Sequence, residues 1–234
     1  MTYDDFTMEQ ILRKILPENV VVPSSFEAIG HIAHLNLKPE HFPYKEIIGQ
    51  VLLDKNHSIR TVVNKIEAIH NQFRTPELEI LAGEPELETI AKEGKCKFKL
   101  NYKEVYWNSR LQTERDRMLT LVKPNETICD MFCGVGPFSI RAAKKGCKVL
   151  ANDLNTFCYD YLKINAEMNK VSDLVQCYNM DAREFIKYLL NKENLHKIPE
   201  KFRHFDHVYM NLPGDAISFL DVFKGRFVQA PSEV

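Results

Sequence analysis

The sequence lacks any uncharged apolar run close to the roughly 18 residues that a membrane-spanning helix needs. Its start, MTYDDFTMEQ, also lacks the basic and apolar regions of a signal peptide. Low-complexity tracts and internal repeats are missing, which excludes the fibrous and coiled-coil classes. The 234 residues, 44% hydrophobic and 27% charged, are enough for one large or two small globular domains. We therefore expect a soluble, unsecreted protein.

The cysteines lack the CxxC spacing that marks common zinc sites. Most of them stand among apolar neighbours, as reduced core thiols do. The six are Cys96, Cys129, Cys133, Cys147, Cys158 and Cys177. This usage predicts a reducing compartment and no bound metal.

Neither half of the chain has a large excess of one charge. Residues 1–100 carry 12 Lys+Arg and 15 Asp+Glu, and residues 101–234 carry 19 and 17, for a total net charge of −1. A general polyanion-binding protein would be strongly basic. If nucleic acid is the partner, a local patch of cations has to hold it.

The first hundred residues predict a small α+β domain. Apolar residues recur at helical spacing over residues 8–16, before Pro17. The segment 26–37 has β character, with a bulge predicted at Gly30. Further predicted elements are a helix over 43–53 and strands over 61–66, 78–83 and 96–102.

The remaining residues, 101–234, predict a doubly wound α/β domain. Strands alternate with helices there, which favours right-handed crossovers and a mainly parallel sheet. The predicted strands are 127–132, 148–153, 174–180 and 205–211, and the predicted helices are 111–122, a helix ending at Lys145, 155–169 and 182–191.

Acidic residues and glycines stand where three of these strands end. Asp130 ends the first strand, and Gly134 and Gly136 follow in a turn where a ligand can approach the backbone at a helix N terminus. Asp153 ends the second strand, where a carboxylate can accept both hydroxyls of an adenosine ribose. Asp181 ends the third strand and can accept from an adenine amino group. Asp130 and Asp181 could instead simply cap the next helices.

The turn after the first strand lacks the third glycine of a dinucleotide-binding GxGxxG, because Pro137, Phe138 and Ser139 follow Gly136. NAD binding is thus disfavoured. The remaining common ligand with adenosine and no pyrophosphate is S-adenosylmethionine, whose sulfonium needs a neutral or acidic pocket. We therefore predict S-adenosylmethionine as the cofactor.

The fourth strand ends in Asn211-Leu212-Pro213. This tripeptide resembles the (N/D)PP(Y/F) element of methyltransferases that act on amino or ring nitrogens, in which the Asn amide binds the edge of the target base. The alternative is an Asx-type turn stiffened by proline. Its position at a strand end favours the binding role.

Together these segments closely resemble the eukaryotic and archaeal tRNA (guanine(37)-N(1))-methyltransferases, over residues 6–223. The segments are DMFCGVGPFSI, ANDLN, MDARE, MNLP, VYWNSRLQTERDR, IGHIAHLNL, IGQVLLDKN and FRTPELEILAGE. The resemblance implies a Rossmann-like class I methyltransferase domain that methylates the guanosine 3′ of the anticodon. It also implies tRNA as the partner, with no DNA or membrane partner, and a cytoplasmic location that extends to the nucleus and the mitochondrial matrix. We expect a monomer.

The resemblance implies three catalytic residues: Glu114 as general base, Arg74 as base-binding arginine and Asn211 as target-binding asparagine. The chemistry agrees, because guanine N1 is a poor nucleophile until a base deprotonates it and a guanidinium can stabilise the charge at O6. Glu114 and Arg117 could instead form an i, i+3 surface pair, and Arg74 could be an exposed loop cation.

The family's cofactor contacts fall within the predicted α/β domain, residues 101–234. They are Tyr106, Arg110, Asp130, Gly134, Gly136, Asp153, Asn155, Asp181 and Pro213. Tyr106 and Trp107 could equally be core residues at the domain interface. We also predict a tRNA-binding surface that includes Arg110, Arg115 and Arg117.

The sequence departs from the family pattern at both ends. A further small domain often precedes the segment that begins here, and the family's catalytic domain continues through three more strands after the fourth. We therefore expect exposed apolar sheet surface and marginal stability in this chain, with self-association and low activity.

Two competing functions remain at the level of sequence. One is the related wybutosine-pathway enzyme, which transfers the aminocarboxypropyl group of the same cofactor to a modified tRNA guanosine. GVGPF and NLP favour methyl transfer. The other is a non-catalytic protein that binds tRNA or cofactor without turnover.

Overall fold

A computed structural model describes residues 2–66 and 73–226 of the chain. The chain divides into two compact units. Unit 1 comprises Met1–Lys92 and Lys99–Ser109, and unit 2 comprises Glu93–Phe98 and Arg110–Val234. The main boundary therefore falls after Ser109 instead of after the predicted residue 100, and a short hairpin tip belongs to unit 2.

Unit 1 contains a mixed sheet in which β2 and β3 are parallel and the outer pairs are antiparallel. Its strand order is β1 (Glu27–Ile29), β2 (Ile32–Leu35), β3 (Thr61–Lys65) and β4 (Leu78–Gly83). Helix α2 (Lys45–Lys55) connects β2 to β3, as a parallel pair requires. The predicted α+β class of this unit is confirmed.

Helix α1 (Met8–Ile15) begins where the sequence predicts and ends one residue earlier. Thr7 Oγ1 accepts from Gln10 N at 3.2 Å, and Gln10 Oε1 accepts from Thr7 N at 2.9 Å, which makes a capping box. Ile11 and Leu12 are buried, and they pack into the same core cluster as α2 and the sheet. The apolar face therefore anchors this helix to unit 1.

The bulge predicted at Gly30 is instead the turn of the β1–β2 hairpin. Gly30 has φ +58°, and a Cβ added to it would collide with Thr89 Oγ1. Glycine is the residue that tolerates both the left-handed backbone and this close approach. The single predicted β segment is thus two short strands.

A second hairpin, β5 (Glu88–Glu93) and β6 (Cys96–Asn101), connects the two units in sequence. The sequence predicts β6 but not β5. In β5, Thr89, Ala91 and Glu93 are the buried residues. Because this inward face is small and polar, the strand does not show the apolar alternation that strand prediction relies on.

Unit 2 contains a parallel sheet of order β10-β7-β8-β9. The strands are β7 (Thr127–Asp130), β8 (Lys148–Asn152), β9 (Val175–Tyr178) and β10 (His207–Tyr209), and the helices are α3 (Gln112–Leu121), α4 (Ser139–Lys144), α5 (Thr156–Met168) and α6 (Ala182–Leu190). The predicted doubly wound, Rossmann-like fold is confirmed.

The predicted linker between α6 and β10 contains two 3₁₀ helices, Lys192–Lys197 and Glu200–Phe202. Ile198 and Phe202 are buried in the core beside α6, so the linker covers one edge of this unit's interior. After β10 the segment Ala216–Phe223 is also 3₁₀ and buries Val222. No helix in the described part of the chain is long and apolar enough to cross a membrane.

Candidate functional site

The parallel sheet of unit 2 reverses its order at β7, which lies between β10 and β8. In doubly wound sheets, ligands bind outside the carboxyl ends of the strands at this reversal. Asp130 is the last residue of β7, Asp153 follows β8, and Asn211 follows β10 by two residues. The topology therefore brings these three predicted residues to one edge of the sheet.

The two glycines of the loop after β7 have different roles. Gly134 has φ +55°, and a Cβ added there would have no neighbour within 4 Å. Gly136 has φ +94°, but its added Cβ would lie 2.7 Å from Leu162 Cδ1 and 2.9 Å from Ile140 Cγ1. Gly134 thus leaves open space beside the backbone for a ligand, whereas Gly136 permits close packing of the loop on two helices.

Asp130 is fully buried, with no accessible surface. Its Oδ2 accepts from Ser139 Oγ at 2.6 Å and its Oδ1 accepts from Phe132 N at 3.3 Å, so it holds the glycine loop from inside. Burial raises the pKa of Asp130 to about 7, because the charged form is desolvated. Asp130 therefore does not cap α4, whose N-cap residue is Phe138, and its contact with the cofactor stays a prediction.

Asp153 is partly exposed and ties the glycine loop to the end of β8. Its Oδ2 accepts from Gly134 N at 2.7 Å, and its Oδ1 accepts from Asn155 N at 2.9 Å. Burial raises its pKa, and the two backbone hydrogen bonds act in the opposite direction. Each oxygen retains a lone pair, so the carboxylate can still accept from the two hydroxyls of a ribose.

Asn155 and Asp181 both cap helices. Asn155 Oδ1 accepts from Phe157 N at 3.0 Å at the start of α5. Asp181 Oδ1 accepts from Arg183 N at 2.9 Å and from Glu184 N at 3.3 Å at the start of α6. The capping alternative for Asp181 is therefore confirmed, while its exposed side chain leaves adenine binding as a prediction.

Two asparagines that the sequence analysis did not single out hold the edge of the sheet together. The buried Asn152 amide donates to Met131 O at 3.3 Å and to Met180 O at 3.0 Å. Asn179 Nδ2 donates to Asp153 O at 2.8 Å and to Leu154 O at 3.0 Å. Asparagine directly at a strand end, where a side chain can bond to neighbouring loops, is the signal that could have identified them.

Strand β10 and the glycine loop are joined by an aromatic contact. The rings of Phe138 and Tyr209 stack with centroids 4.0 Å apart and an interplanar angle of 25°. Asn211 follows two residues later and is half-buried, and no described residue pairs with its amide. The chain turns at Leu212, whose carbonyl accepts from Ala216 N at 2.9 Å. The Asn211 amide thus remains available to a ligand, which the Asx-turn alternative does not predict.

Glu114 lies on the exposed side of α3 and pairs with Arg117. Arg117 donates through Nε to Glu114 Oε2 at 2.8 Å and through Nη2 to Oε1 at 2.6 Å. This hydrogen-bonded pair lowers the pKa of Glu114, so the carboxylate is ionised near neutral pH. The i, i+3 surface pair is therefore confirmed, and it keeps Glu114 in the state that a general base needs.

Glu114 also lies within electrostatic range of the end of β10. Burial first, and then the negative charge of Asp130, raise the pKa of Tyr209 to about 12, and Glu114 adds to the effect. Tyr209 precedes Asn211 by two residues. Two of the three predicted catalytic residues, Glu114 and Asn211, both belong to unit 2.

The prediction that Arg115 contacts tRNA is wrong, because Arg115 is only 3% exposed. Its guanidinium donates through Nε to Glu93 Oε1 at 2.8 Å and through Nη2 to the other oxygen. Arg141 donates to the same Glu93 Oε1 at 2.7 Å and also pairs with Asp116. Arg115 is thus part of a buried ionic cluster that attaches α3 to α4 and to the tip of the β5–β6 hairpin.

Four predicted residues remain: Arg74, Tyr106, Arg110 and Pro213. Arg74 and Tyr106 belong to unit 1. Arg74 is half-buried and has φ 56°, an uncommon conformation for a residue with a side chain. Tyr106 is also half-buried, and its hydroxyl accepts from Asn108 Nδ2 at 3.2 Å. Arg110 and Pro213 are exposed parts of unit 2, Arg110 in the 3₁₀ helix Ser109–Leu111.

Comparison with known families gives two matches that together span most of the chain. The TRM5/TYW2 methyltransferase domain matches residues 89–229, and the TYW2 N-terminal domain matches residues 8–86. The tRNA (guanine(37)-N(1))-methyltransferase of Phytophthora infestans (strain T30-4) is 48% identical over 227 residues, which cover 97% of this chain and 53% of that protein. The enzyme of the same name from Dictyostelium discoideum is 50% identical over 229 residues, with coverage of 97% and 48%.

Solved structures agree with this family. The complex of aTrm5 with tRNALeu superposes with a TM-score of 0.76 at 27% identity, over 94% of this chain and 62% of that one. The Methanocaldococcus jannaschii Trm5 complex with adenosine has a TM-score of 0.70 at 28% identity, with coverage of 92% and 60%. The chain spans about half the length of the curated relatives it matches.

Proposed function

As the chain belongs to the TRM5/TYW2 methyltransferase family, we propose that it transfers the methyl group of S-adenosylmethionine to N1 of guanosine 37 in tRNA. One observation carries this proposal beyond the family. The partly exposed Asp153 carboxylate accepts from Gly134 N beside open space, at the edge of the sheet where Asn211 also follows its strand. This edge fits a nucleoside.

The residues at the strand ends of unit 2 fit S-adenosylmethionine. Asp153 would accept from the ribose hydroxyls, and Asp181 would accept from the adenine amino group. The open backbone at Gly134 would let the ligand lie against the loop, with Gly136, Asn155 and Asp130 holding that loop and the next helix in place. The cofactor supplies an electrophilic methyl group on a positively charged sulfur. Tyr106, Arg110 and Pro213 complete the proposed contacts.

The chain's own chemistry acts on the guanine base. Glu114 would remove the proton from N1, because the neutral ring nitrogen is a poor nucleophile. Arg74 would stabilise the negative charge that develops at O6, and Asn211 would hold the edge of the base through its amide. Near neutral pH the Glu114 carboxylate is ionised and can accept this proton.

The test is methyl incorporation into transcribed tRNA with labelled S-adenosylmethionine. A transcript with guanosine at position 37 should be methylated, and a transcript that differs only in carrying adenosine there should not. Mapping the product to N1 would complete the assignment. If both transcripts are labelled equally, or neither is, the proposed function is wrong.

The related aminocarboxypropyl transferase remains the second candidate, because residues 8–86 match the TYW2 N-terminal domain. The product mass distinguishes the two functions, since a methyl group is much lighter than an aminocarboxypropyl group. A non-catalytic protein would bind cofactor and tRNA and yield no product. The curated relatives named as methyltransferases favour methyl transfer.

We further propose that the protein acts as a monomer on tRNA and not on DNA, without a bound metal. Its proposed location is the cytoplasm, with nuclear and mitochondrial matrix pools. The six cysteines are free thiols, which supports a reducing compartment. Light scattering of the purified chain and imaging of a tagged protein would test these points.

A further inference from the structure

Unit 1 contains an open cleft of about 650 Å³ between the β1–β2 turn and the β5–β6 hairpin. Its volume lies within the range of roughly 300–1,000 Å³ that is typical of ligand sites. Gly30 and His31 line one side with Arg60, and Ile90, Lys92 and Lys99 line the other. None of these residues belongs to the strand-end site of unit 2.

The floor of the cleft is fixed by hydrogen bonds. The Thr89 hydroxyl lies 3.3 Å from His31 N, which donates to it, and 3.2 Å from Ile29 O, to which it can donate. The His31 ring is held at both nitrogens, by Thr89 Oγ1 at 3.1 Å and by Glu86 O at 3.2 Å. Because Gly30 packs directly on Thr89, the turn and strand β5 cannot move apart freely. The cleft is therefore preorganised.

The cations of the cleft are only partly neutralised. Arg60 is 55% exposed and its Nε lies 3.5 Å from Glu84, in a pair that is exposed on both sides. Lys92 is exposed and forms no ion pair within residues 2–66 and 73–226. Lys99 pairs with Glu88 at 2.7 Å. The lining thus has a net positive charge, although residues 1–100 carry more acidic than basic residues.

An apolar surface lies among these charges. The side chain of Ile90 is 44% exposed on the same strand as Lys92, and the His31 ring is fixed across the cleft. Single-stranded nucleic acids bind where cations follow the phosphates and flat rings stack on the bases. Charge, exposed apolar surface and a rigid floor therefore occur together here.

We infer that this cleft binds the sugar–phosphate backbone of the RNA substrate, with Arg60 and Lys92 as the phosphate contacts. The inference rests on the proposed function, which makes an RNA the substrate. The cleft then supplies the local patch of cations that a chain of net charge −1 needs to bind a polyanion. Phosphate contacts position an RNA without reading its sequence, so the cleft should affect affinity and not the choice of base.

The test compares two double variants with identical charge changes. Arg60→Ala with Lys92→Ala removes the cleft cations, and Arg13→Ala with Lys14→Ala removes two exposed cations from α1. RNA binding is measured by fluorescence anisotropy of labelled tRNA over a range of salt concentrations. The cleft variant should bind about tenfold more weakly, and its log–log salt slope should fall by about 1 to 2, which corresponds to one or two lost phosphate contacts. The α1 variant should bind like the parent.

A second variant, Lys92→Glu, leaves Arg60 in place, so its effect cannot come from lost packing of Arg60. It should weaken RNA binding more than Lys92→Ala, because a carboxylate repels a phosphate. Methylation should reach half of its maximal rate at a higher tRNA concentration than in the parent. If the cleft and α1 variants bind RNA equally, or the parent does not bind RNA, the inference is wrong. If the parent binds RNA through the cleft but does not methylate it, the proposed function fails and the cleft assignment stands.

Discussion

The two sides of helix α3 carry charged residues in different environments, exposed on one side and buried on the other. On the outer side, Glu114 and Arg117 pair in solvent, with side chains 52% and 60% exposed. On the inner side, Arg115 is the one buried residue of the helix, and it meets Glu93 where both side chains are almost fully covered. An exposed pair contributes little to stability, whereas a broken buried pair leaves an uncompensated charge. The inner charges therefore hold the helix, and the outer pair lies at the surface, where a substrate can reach the Glu114 carboxylate.

The same contrast appears at the strand ends. Asp130 is fully buried and both its oxygens bond inside the protein. Asp153, at the end of the neighbouring strand, is partly exposed and retains acceptor capacity. A carboxylate in a ligand-binding position is thus identified by the surface that remains accessible to a ligand. The following predictions test this division, beginning with the largest effect.

Glu93→Gln should destabilise the protein most, because Arg115 would remain buried and charged without its partner carboxylate. Breaking a buried ion pair typically costs about 3–5 kcal/mol of unfolding free energy. Urea denaturation followed by circular dichroism measures the change. Glu114→Gln on the outer side of α3 serves as the matched control and should leave the urea midpoint close to that of the parent.

A double variant tests whether the lost stability comes from the unpaired charge of Arg115 or from lost packing on the inner side of α3. Glu93→Leu combined with Arg115→Met replaces this pair by apolar groups of similar volume, which is often neutral for stability. Arg141 also loses Glu93 but keeps its other partner, Asp116. This double variant should recover most of the stability that Glu93→Gln loses. Equal urea midpoints for Glu93→Gln and Glu114→Gln would refute the division between the two sides of the helix.

Glu114→Gln should have its effect on the chemical step. The substitution keeps the shape of the side chain and removes the proton acceptor, so the single-turnover rate should fall roughly 100-fold or more. Cofactor affinity by calorimetry should stay near the parental value, and the parental rate should rise with pH until the carboxylate is ionised. A Glu114→Gln protein that methylates at the parental rate would remove Glu114 from the mechanism.

Asp153→Ala should weaken S-adenosylmethionine binding. Loss of hydrogen bonds to a charged acceptor typically costs about 1.5–3 kcal/mol, which is roughly one to two decades in Kd. Calorimetric titration of folded protein measures this change. Asp160→Ala, which removes an exposed carboxylate on α5, is a suitable control. If both variants bind the cofactor as the parent does, Asp153 does not contact the ribose.

The buried Asp130 should make stability depend on pH in a defined direction. Its folded pKa of about 7 lies above the ordinary value, so its contribution to stability is complete below pH ~4 and is lost as the pH rises through 7. Between pH 5 and 6 this group should lower the unfolding free energy by about 1 kcal/mol. In Asp130→Asn, the unfolding free energy should fall by about 1 kcal/mol less between pH 5 and pH 6 than it does in the parent. Urea denaturation at the two pH values measures this difference. An identical pH dependence in both proteins would contradict the raised pKa.

Much of unit 2 could be predicted from sequence, because its strands are apolar and its turns carry glycine and acidic residues at regular positions. The strand ends at Asp130 and Asp153 follow from that pattern alone. The sequence pattern does not predict how much of each carboxylate is exposed to solvent. Exposure depends on partners such as Ser139 and Gly134, which only the folded loop brings close.

The predictions that were wrong concern residues whose structure is determined by contacts with residues far away in the sequence. Glu93 pairs with residues 22 and 48 positions away, so neither strand β5 nor the burial of Arg115 is visible locally. The turn at Gly30 is likewise determined by Thr89, far along the chain. Local sequence could support either a bulge or a turn at Gly30. Long-range packing decides between them.

The hairpin tip from Glu93 to Phe98 affects which recombinants between related sequences can fold. The chain leaves unit 1 after Lys92, contributes Glu93 to unit 2 and returns to unit 1 at Lys99. Recombination between relatives that joined one parent's first hundred residues to another's remainder would separate Glu93 from Arg115 and Arg141. Because these charges are buried together, they have to be compatible within each descendant. A recombination point that keeps the hairpin, α3 and α4 from one parent would therefore preserve this cluster.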